Sequence, residues 1–441
     1  LAPASIQKHG PGLDLPIALG ILAASGQIPL SEKLQNTLVA GELSLEGKIR
    51  PVKGVLSMAI AAEKNRLPAL ALPVENAQEG AAIPGVRALP VSSLKELVAW
   101  CLGRVELEPA VPISHCGPDP ASLADLARVK GQHGAKRALE LAAAGGHNLL
   151  LVGPPGSGKT MLANCLPSLL PSLSQEQSLE VSQIYSVAGL LPHGRLVSEP
   201  PFRSPHHSAS LGGIVGGGAV PRPGEISLAH RGVLFMDEFP EFRRSVLEVL
   251  RQPLEEGRIT IARTQSTHTF PSRFLLVAAA NPCPCGFFAV PGGRCRCTAG
   301  QISRYRSRFS GPLLDRIDLW LDVPPVDYEK LRQRGGEEPS AVVRKRVVAA
   351  REIQGRRFGG GQLNAAMDSR QVETYCSLDA AGESLLKEAF RRLGLSARAH
   401  QRLLKVARTI ADLAGQEGIR GEDIAEALSY RSLSWQGDDR Y

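Results

Sequence analysis

"HNLLLVGPPGSGKTMLANCL", His147–Leu166, is the stretch on which the reading of this chain turns. The apolar run Leu149–Val152 predicts a buried strand, and the residues after Gly158 carry a helical pattern. Between them "GPPGSGKT", Gly153–Thr160, has glycines and a lysine at phosphate-loop spacing. The reason for those residue types is steric and electrostatic. Gly153, Gly156 and Gly158 let successive backbone amides curl around the phosphates, with Pro154, Pro155 and Ser157 completing the nucleotide-binding loop, while Lys159 reaches the β and γ phosphates and the Thr160 hydroxyl is placed to ligate Mg2+. A chance match is disfavoured because strand and helix flank the loop as the chemistry requires.

The 441 residues suit two or three domains, and 43% apolar with 21% charged residues is an ordinary globular composition. Fifty-one Lys plus Arg against 43 Asp plus Glu leave +8, and the pI of about 9.1 favours polyanions such as nucleic acid as partners. No apolar run approaches the roughly 20 residues that cross a bilayer, and no leader pattern opens the chain. A cytoplasmic protein is therefore expected. Leu1 falls in mid-pattern, so a preceding N-terminal piece is expected as well.

Composition shifts divide the chain into four parts. Residues 1–104 alternate β-rich and helical runs, 105–122 read as a Pro-rich linker, 123–325 as an α/β nucleotide-binding core opening with a helix from Leu123, and 326–441 as a helical domain. Within the last part the period predicts helices over 340–357, 379–393, 397–414 and 421–431, with Gly359–Gly361 as a break.

Two further apolar runs deliver polar groups. "RGVLFMDEF", Arg231–Phe239, predicts a buried parallel strand carrying Asp237, a Mg2+ ligand through water, and Glu238, which would orient and deprotonate an attacking water. A surface acidic turn is the blander alternative. "RFLLVAAANP", Arg273–Pro282, ends in Asn281, whose amide can position the same water or merely start a turn.

These elements resemble an AAA+ ATPase of the magnesium-chelatase-like group. They do so together with "SGPLLDRIDLWLDVP", "LSARAHQRLLKVARTIADLAG" and "VPRPGEISLAHRGVLFMDE". More narrowly the chain resembles the ComM/YifB family, competence-associated bacterial helicases. The resemblance implies an α/β P-loop core with a helical lid and a homo-hexameric ring with ATP between subunits. It makes Asn281 the sensor of the strand, Arg316 a finger offered to the neighbouring subunit and Arg398 a second sensor. An arginine suits that task because its guanidinium is always charged and bidentate. Arg308, Arg402 and Arg408 lie near enough in sequence to compete for these roles.

The first segment resembles the proteolytic domain of Lon, an α+β fold, through "HGPGLDLPIALGILAASGQIP" and "LVAGELSLEGKIRPVKGVLSMAIAA". Where Lon proteases carry a serine nucleophile this chain has Gly12, and where they carry a lysine base it has Leu56. Neither can do the chemistry, so the fold is expected without the peptidase.

"LEEGRITIARTQSTHTFPSRF", Leu254–Phe274, predicts a β-hairpin, and the resemblance places such a hairpin in the ring's pore. Arg258, Arg263, His268 and Arg273 would there contact DNA phosphates. The Gly-rich "PHHSASLGGIVGGGAVPRPG" reads as a mobile loop, its His206 and His207 favouring a phosphate or structural role over a metal.

"NPCPCGFFAVPGGRCRCTAG", Asn281–Gly300, holds four of the eight cysteines. Cys283, Cys285, Cys295 and Cys297 can surround one Zn2+, although Cys-x-Cys is tighter than the common gap; redox activity and no metal stay open. Arg294, Arg296, Arg304, Arg306 and Arg308 would make this a basic knob. The resemblance, with these residues, implies a motor that hydrolyses ATP to drive branch migration of DNA in homologous recombination and natural transformation. Single-stranded and branched DNA are the expected partners, with a recombinase or loading partner. A chelatase-type remodeller of a protein and an ATP-assembled DNA-binding scaffold are the alternatives.

Overall fold

The computed structural model describes residues 11–112, 124–191, 195–218, 221–262, 267–290, 295–326, 336–393 and 395–431. Contacts gather these into two units. The first takes the described residues of Leu1–Gly117, Leu173–Ser198 and Gly217–Pro223, and the second those of Pro118–Ser172, Glu199–Gly216 and Gly224–Tyr441. The chain thus leaves the second unit twice to pack with the first.

The first unit is α+β. Strands β1 (Thr37–Val39), β2 (Ala69–Pro73) and β3 (Arg87–Val91) form a parallel sheet in the order β1-β2-β3. All five residues of β2 are buried, as expected of a central parallel strand, and helices Asp14–Ala24, Val55–Lys64, Val74–Gly80 and Leu94–Cys101 accompany the sheet. Helix Gln175–Ala188 joins this unit, opened by a capping box of Ser174 and Gln177 and closed by Gly189 at φ 73°. Its Ser186 hydroxyl bonds to the buried carboxylate of Glu79, which also accepts the backbone N–H of Leu56 at 3.1 Å.

The second unit is built on five parallel strands, β4 (Leu149–Val152), β5 (Phe202–Arg203), β6 (Val233–Met236), β9 (Leu275–Ala280) and β10 (Leu319–Asp322), in the spatial order β10-β4-β9-β6-β5. The intervening β7 (Arg258–Ala262) and β8 (Thr267–Pro271) form an antiparallel hairpin of their own. Side chains alternate between the faces of the sheet. Leu149, Leu151, Val233, Phe235, Val277 and Ala279 pack on one side with helices His133–Gly145, Lys159–Leu169, Ser340–Phe358 and Ala397–Leu413. Leu150, Val152, Leu234, Met236, Ala278 and Ala280 pack on the other with Phe239, Val246, Leu250 and Ile259. Because both faces are covered, these strands read as unbroken apolar runs.

The C-terminal helices run Ser340–Phe358, Ala380–Leu393, Ala397–Leu413 and Gly421–Ser429, with a shorter helix at Ser369–Tyr375 that the periodicity did not suggest. The helix expected from Leu123 begins instead at His133, after a 3-10 turn at Leu126–Arg128. No helix among the described residues is long and apolar enough to cross a membrane.

One buried ionic network ties this helical part together. Asp412 accepts from both terminal nitrogens of Arg357 at 2.5 and 2.8 Å, from Arg408 Nε at 3.0 Å and from Asn364 Nδ2 at 2.8 Å. Arg408 is itself buried, its remaining nitrogens donating to the carbonyls of Gln416 and Glu417. Removing the carboxylate would strand a buried guanidinium, a loss of about 3–5 kcal/mol. Asp412→Ala should lower stability by that amount in urea unfolding followed by circular dichroism, and a loss under about 1 kcal/mol would remove the network from the fold's support.

Candidate functional site

The parallel register sets the geometry. Val152 pairs with Ala280 and Met236 with Ala278, so Gly153, Asp237 and Asn281 leave the sheet at one carboxyl edge. Gly153 N donates to Ala280 O at 3.1 Å, fixing the start of the phosphate loop against the end of β9. Gly156 and Gly158 sit at φ 76° and 90°, a backbone region that side chains disfavour, and Lys159 begins the following helix. A β-carbon on Gly153 would collide with the carbonyl of Val323.

Lys159 is 8% exposed, and its ammonium donates to the carbonyls of Gly153 and Pro154 at 2.8 and 2.9 Å and to Asn281 Oδ1 at 3.3 Å. Burial draws its pKa below the ordinary lysine value, with the charge of Asp237 acting against that shift. Thr160 Oγ1 donates to Asp237 Oδ2 at 2.8 Å, and Asp237 Oδ1 caps the Glu238 N–H at 2.9 Å. A hydroxyl and a carboxylate facing each other across the phosphate loop are hard oxygen donors of the kind Mg2+ takes, so the residues present fit that ion. Glu238 holds a left-handed backbone at φ 51° and pairs through Oε2 with His207 Nδ1 at 2.9 Å. This strain sits at the carboxylate the sequence nominated, and such outliers gather at functional sites.

Nothing local in the sequence pairs His207 with this carboxylate. It follows β5, and β5 pairs with β6, so its loop comes out beside the Asp237–Glu238 turn. His206 stacks on His207 with ring centroids 4.1 Å apart. No cysteine or third ligand completes a metal site there among the described residues.

Of the arginines, Arg316 donates to the carbonyl of Pro312 and to Glu255, with a side chain 12% exposed. Arg398 is exposed in the first turn of helix Ala397–Leu413. Arg308 donates to Pro240 O and Glu241, and Arg402 pairs with Asp318 at 3.7 Å. Asp318 is buried, which would raise its pKa, yet the bond to His147 and the charges of His147, Arg402 and Arg431 hold it below the usual carboxylate value.

The hairpin forms with Arg258 opposite Pro271 and Ala262 opposite Thr267. Ile259 and Ile261 are buried, while Arg258, His268 and Arg273 are exposed. Arg258 is held to Glu256 at 3.1 Å, lowering that carboxyl's pKa. Arg263 lies outside the described residues.

The four cysteines after Asn281 converge. Their sulfurs lie within 4.8 Å of one another, with Cys283 3.4 Å from Cys285 and 3.8 Å from Cys295, and Cys285 3.7 Å from Cys295. A tetrahedral ion with Zn–S bonds of about 2.3 Å sets sulfurs about 3.8 Å apart, so the donor set fits Zn2+. The thiol of Cys285 is drawn down to about 6, first by a backbone N–H from Arg296. Cys297 is pushed up to about 12 by desolvation and its sulfur neighbours.

In the first unit Gly12 lies in the 3-10 turn Pro11–Leu13, and Leu56 is fully buried. Neither position offers a nucleophile or a base.

A phosphate loop on the first strand, an acidic pair on its second neighbour and the polar Asn281 at the end of the strand between define a P-loop nucleoside triphosphatase of the AAA+ class. The description "Magnesium chelatase, subunit ChlI" matches residues 125–331, its C-terminal counterpart residues 337–431, and "Subunit ChlI of Mg-chelatase" residues 1–76. The competence protein ComM of Haemophilus influenzae is 45% identical over 437 residues, 98% of this chain and 85% of that protein. The uncharacterized protein YifB of Salmonella typhimurium is 46% identical over 437 residues, 98% of this chain and 84% of that protein. A Lon protease of Rhizobium meliloti is 30% identical over 112 residues, 23% of this chain and 14% of the protease. The chain belongs to the ComM/YifB family of magnesium-chelatase-like AAA+ ATPases.

Charge-assisted hydrogen bonds contribute about 1.5–3 kcal/mol, and each ~1.4 kcal/mol is tenfold in affinity. Lys159→Ala should therefore weaken ATP binding about 10- to 100-fold in a fluorescent-nucleotide titration. Unchanged affinity would remove Lys159 from the site.

Proposed function

We propose that this protein is a hexameric DNA motor that hydrolyses ATP to drive branch migration during homologous recombination and natural transformation. The observation that carries this reading is one stretch of chain. The exposed hairpin β7–β8, with Arg258 and His268 on it and Arg273 beyond, runs directly into β9, whose end presents Asn281 to Lys159. A displacement of the hairpin by a polyanion is thus transmitted along a stiff strand to the nucleotide site. The name of the Haemophilus influenzae relative supports a place in competence. The basic balance of +8 supports DNA, single-stranded or branched, as the partner. A recombinase or loading partner would bring the ring to its substrate, in the cytoplasm.

In this reading Lys159 leaves the carbonyls of Gly153 and Pro154 for the β and γ phosphates of ATP. Glu238 releases His207 and takes a proton from the attacking water, which Asn281 positions. Bound Mg2+, held by Thr160 and through water by Asp237, would neutralise phosphate charge. Arg316 leaves Glu255 to meet the γ-phosphate of the adjoining subunit, and Arg398 serves as second sensor. Zn2+ in the cluster of Cys283, Cys285, Cys295 and Cys297 completes the cofactors. The first unit, with Gly12 and Leu56 where Lon carries its reacting groups, contributes to ring assembly or DNA contact and not to proteolysis.

Glu238→Gln should bind ATP with near-normal affinity and turn it over about 10²- to 10⁴-fold more slowly; ordinary turnover would exclude it as the base. Arg316→Ala and Lys159→Ala subunits, each inactive alone, should recover ATPase activity when mixed in one ring, and no recovery in verified mixed rings would count against a finger acting in trans. The motor itself is tested by DNA-stimulated ATPase and movement of a four-way junction, with affinity falling about 0.7 log unit per log salt for each single-strand phosphate contacted. A rate indifferent to DNA would overturn it.

A further inference from the structure

We infer that the four-cysteine cluster is a structural part of the nucleotide site, so that ATP affinity depends on bound Zn2+. The inference rests on the zinc and ATP assignments just made and adds a dependence between them. It begins with connectivity. Cys283 lies two residues past Asn281, whose side chain accepts from Lys159 at 3.3 Å. The turn that carries Cys283 and Cys285 is closed by Gly286, whose N–H donates to Cys283 O at 2.9 Å. Phe288 N–H donates to the sulfur of the fully buried Cys283 at 3.3 Å.

That turn rests on the phosphate loop. A β-carbon on Gly286 would collide with Pro155 Cδ and lie 2.8 Å from its Cγ, and Gly286 has φ 84°. So the backbone of the cysteine turn backs the proline that forms the outer wall of the loop. On its other arm, Cys295 and Cys297 lead through the Thr298 cap into helix Ala299–Arg306, whose Arg306 guanidinium lies 4.8 Å from the Phe288 ring centre.

Apolar burial anchors this turn only at Pro282, Cys283 and the half-buried Phe288, which packs on the core; Pro284, Phe287 and Ala289 are exposed and Cys285 is half-buried, so packing alone orders the cysteine arms weakly. A structural zinc site supplies on the order of 10 kcal/mol of ordering free energy. Four thiolates also fill the tetrahedron, which leaves no position for water or substrate and makes the ion a strut rather than a catalyst. Take the ion away and the cysteine arms separate, Pro155 loses its backing, and Asn281 loses its fixed distance to Lys159.

The full chain purified without chelators should hold close to one zinc. Replacing that ion with Co2+ should give the absorption of a tetrahedral thiolate site. Stripping the metal and returning the protein to Mg2+ buffer should raise the Kd for a fluorescent ATP analogue on the order of tenfold, with zinc but not further Mg2+ restoring it. Cys295→Ser with Cys297→Ser, on the arm away from Pro155, should reproduce the stripped protein. Gly286→Ala keeps all four ligands, and it should retain zinc while losing ATP affinity to a similar extent. Under about 0.3 zinc per chain would overturn the metal assignment. Equal ATP affinity with and without zinc, or in Gly286→Ala, would overturn the dependence. A zinc-loaded protein that bound no ATP would overturn the nucleotide reading itself, and this inference with it.

Discussion

The register of three parallel strands is the constraint from which the site follows. β4, β6 and β9 are apolar on both faces, so no charged side chain can be placed before their ends without burial in the sheet. Polar groups therefore appear at the first residues beyond, and pairing of Val152 with Ala280 and Met236 with Ala278 sets Gly153 level with Asn281 and Asp237 two positions short of them at the same edge. Lys159 is buried where Asp237 and Glu238 are not, and two loop carbonyls and the Asn281 amide compensate its loss of water. The same oxygens that satisfy the ammonium are weaker partners than phosphate, which makes the resting arrangement easy to exchange for a bound nucleotide.

Local patterns carried most of this. The phosphate loop, the acidic pair, Asn281, the hairpin with its buried Ile259 and Ile261, and the long C-terminal helices all have signatures within about 20 residues of chain, the range over which periodicity speaks. What stayed hidden depends on partners distant in sequence. Helix Gln175–Ala188 joins the first unit through Ser186 and Glu79, 107 positions apart, and nothing local announces that. The pairing of His207 with Glu238 escaped for a related reason. β5 is two residues long and has no readable period, so its neighbour β6 could not be inferred, and with it the position of the loop that follows.

The cysteines show the reverse case. Their spacing argued weakly for a metal, because Cys-x-Cys is tight, but a turn closed by Gly286 and a return through Thr298 bring both arms to one point. The donors are legible in the residue types, whereas their convergence depends on backbone geometry that the spacing alone does not specify.

Burial sorts the arginines that sequence left in competition. Arg408 spends its guanidinium on Asp412 and two carbonyls and has no donor to offer outward. Arg402 lies over the buried Asp318, and Arg308 is held by Glu241 and Pro240. Arg398 is exposed at a helix start, where a second charge four positions from Arg402 is unfavourable unless an anion comes to it. Arg316 is the intermediate case, tethered to the half-exposed Glu255 of the segment that leads into the hairpin. The carboxylate end of this tether is open to water, so screening acts on the pair from the Glu255 side although the guanidinium is largely covered. For the proposed finger this matters because Glu255, open to water, can hold the guanidinium at rest and be replaced by a phosphate, whose charge makes it the stronger partner.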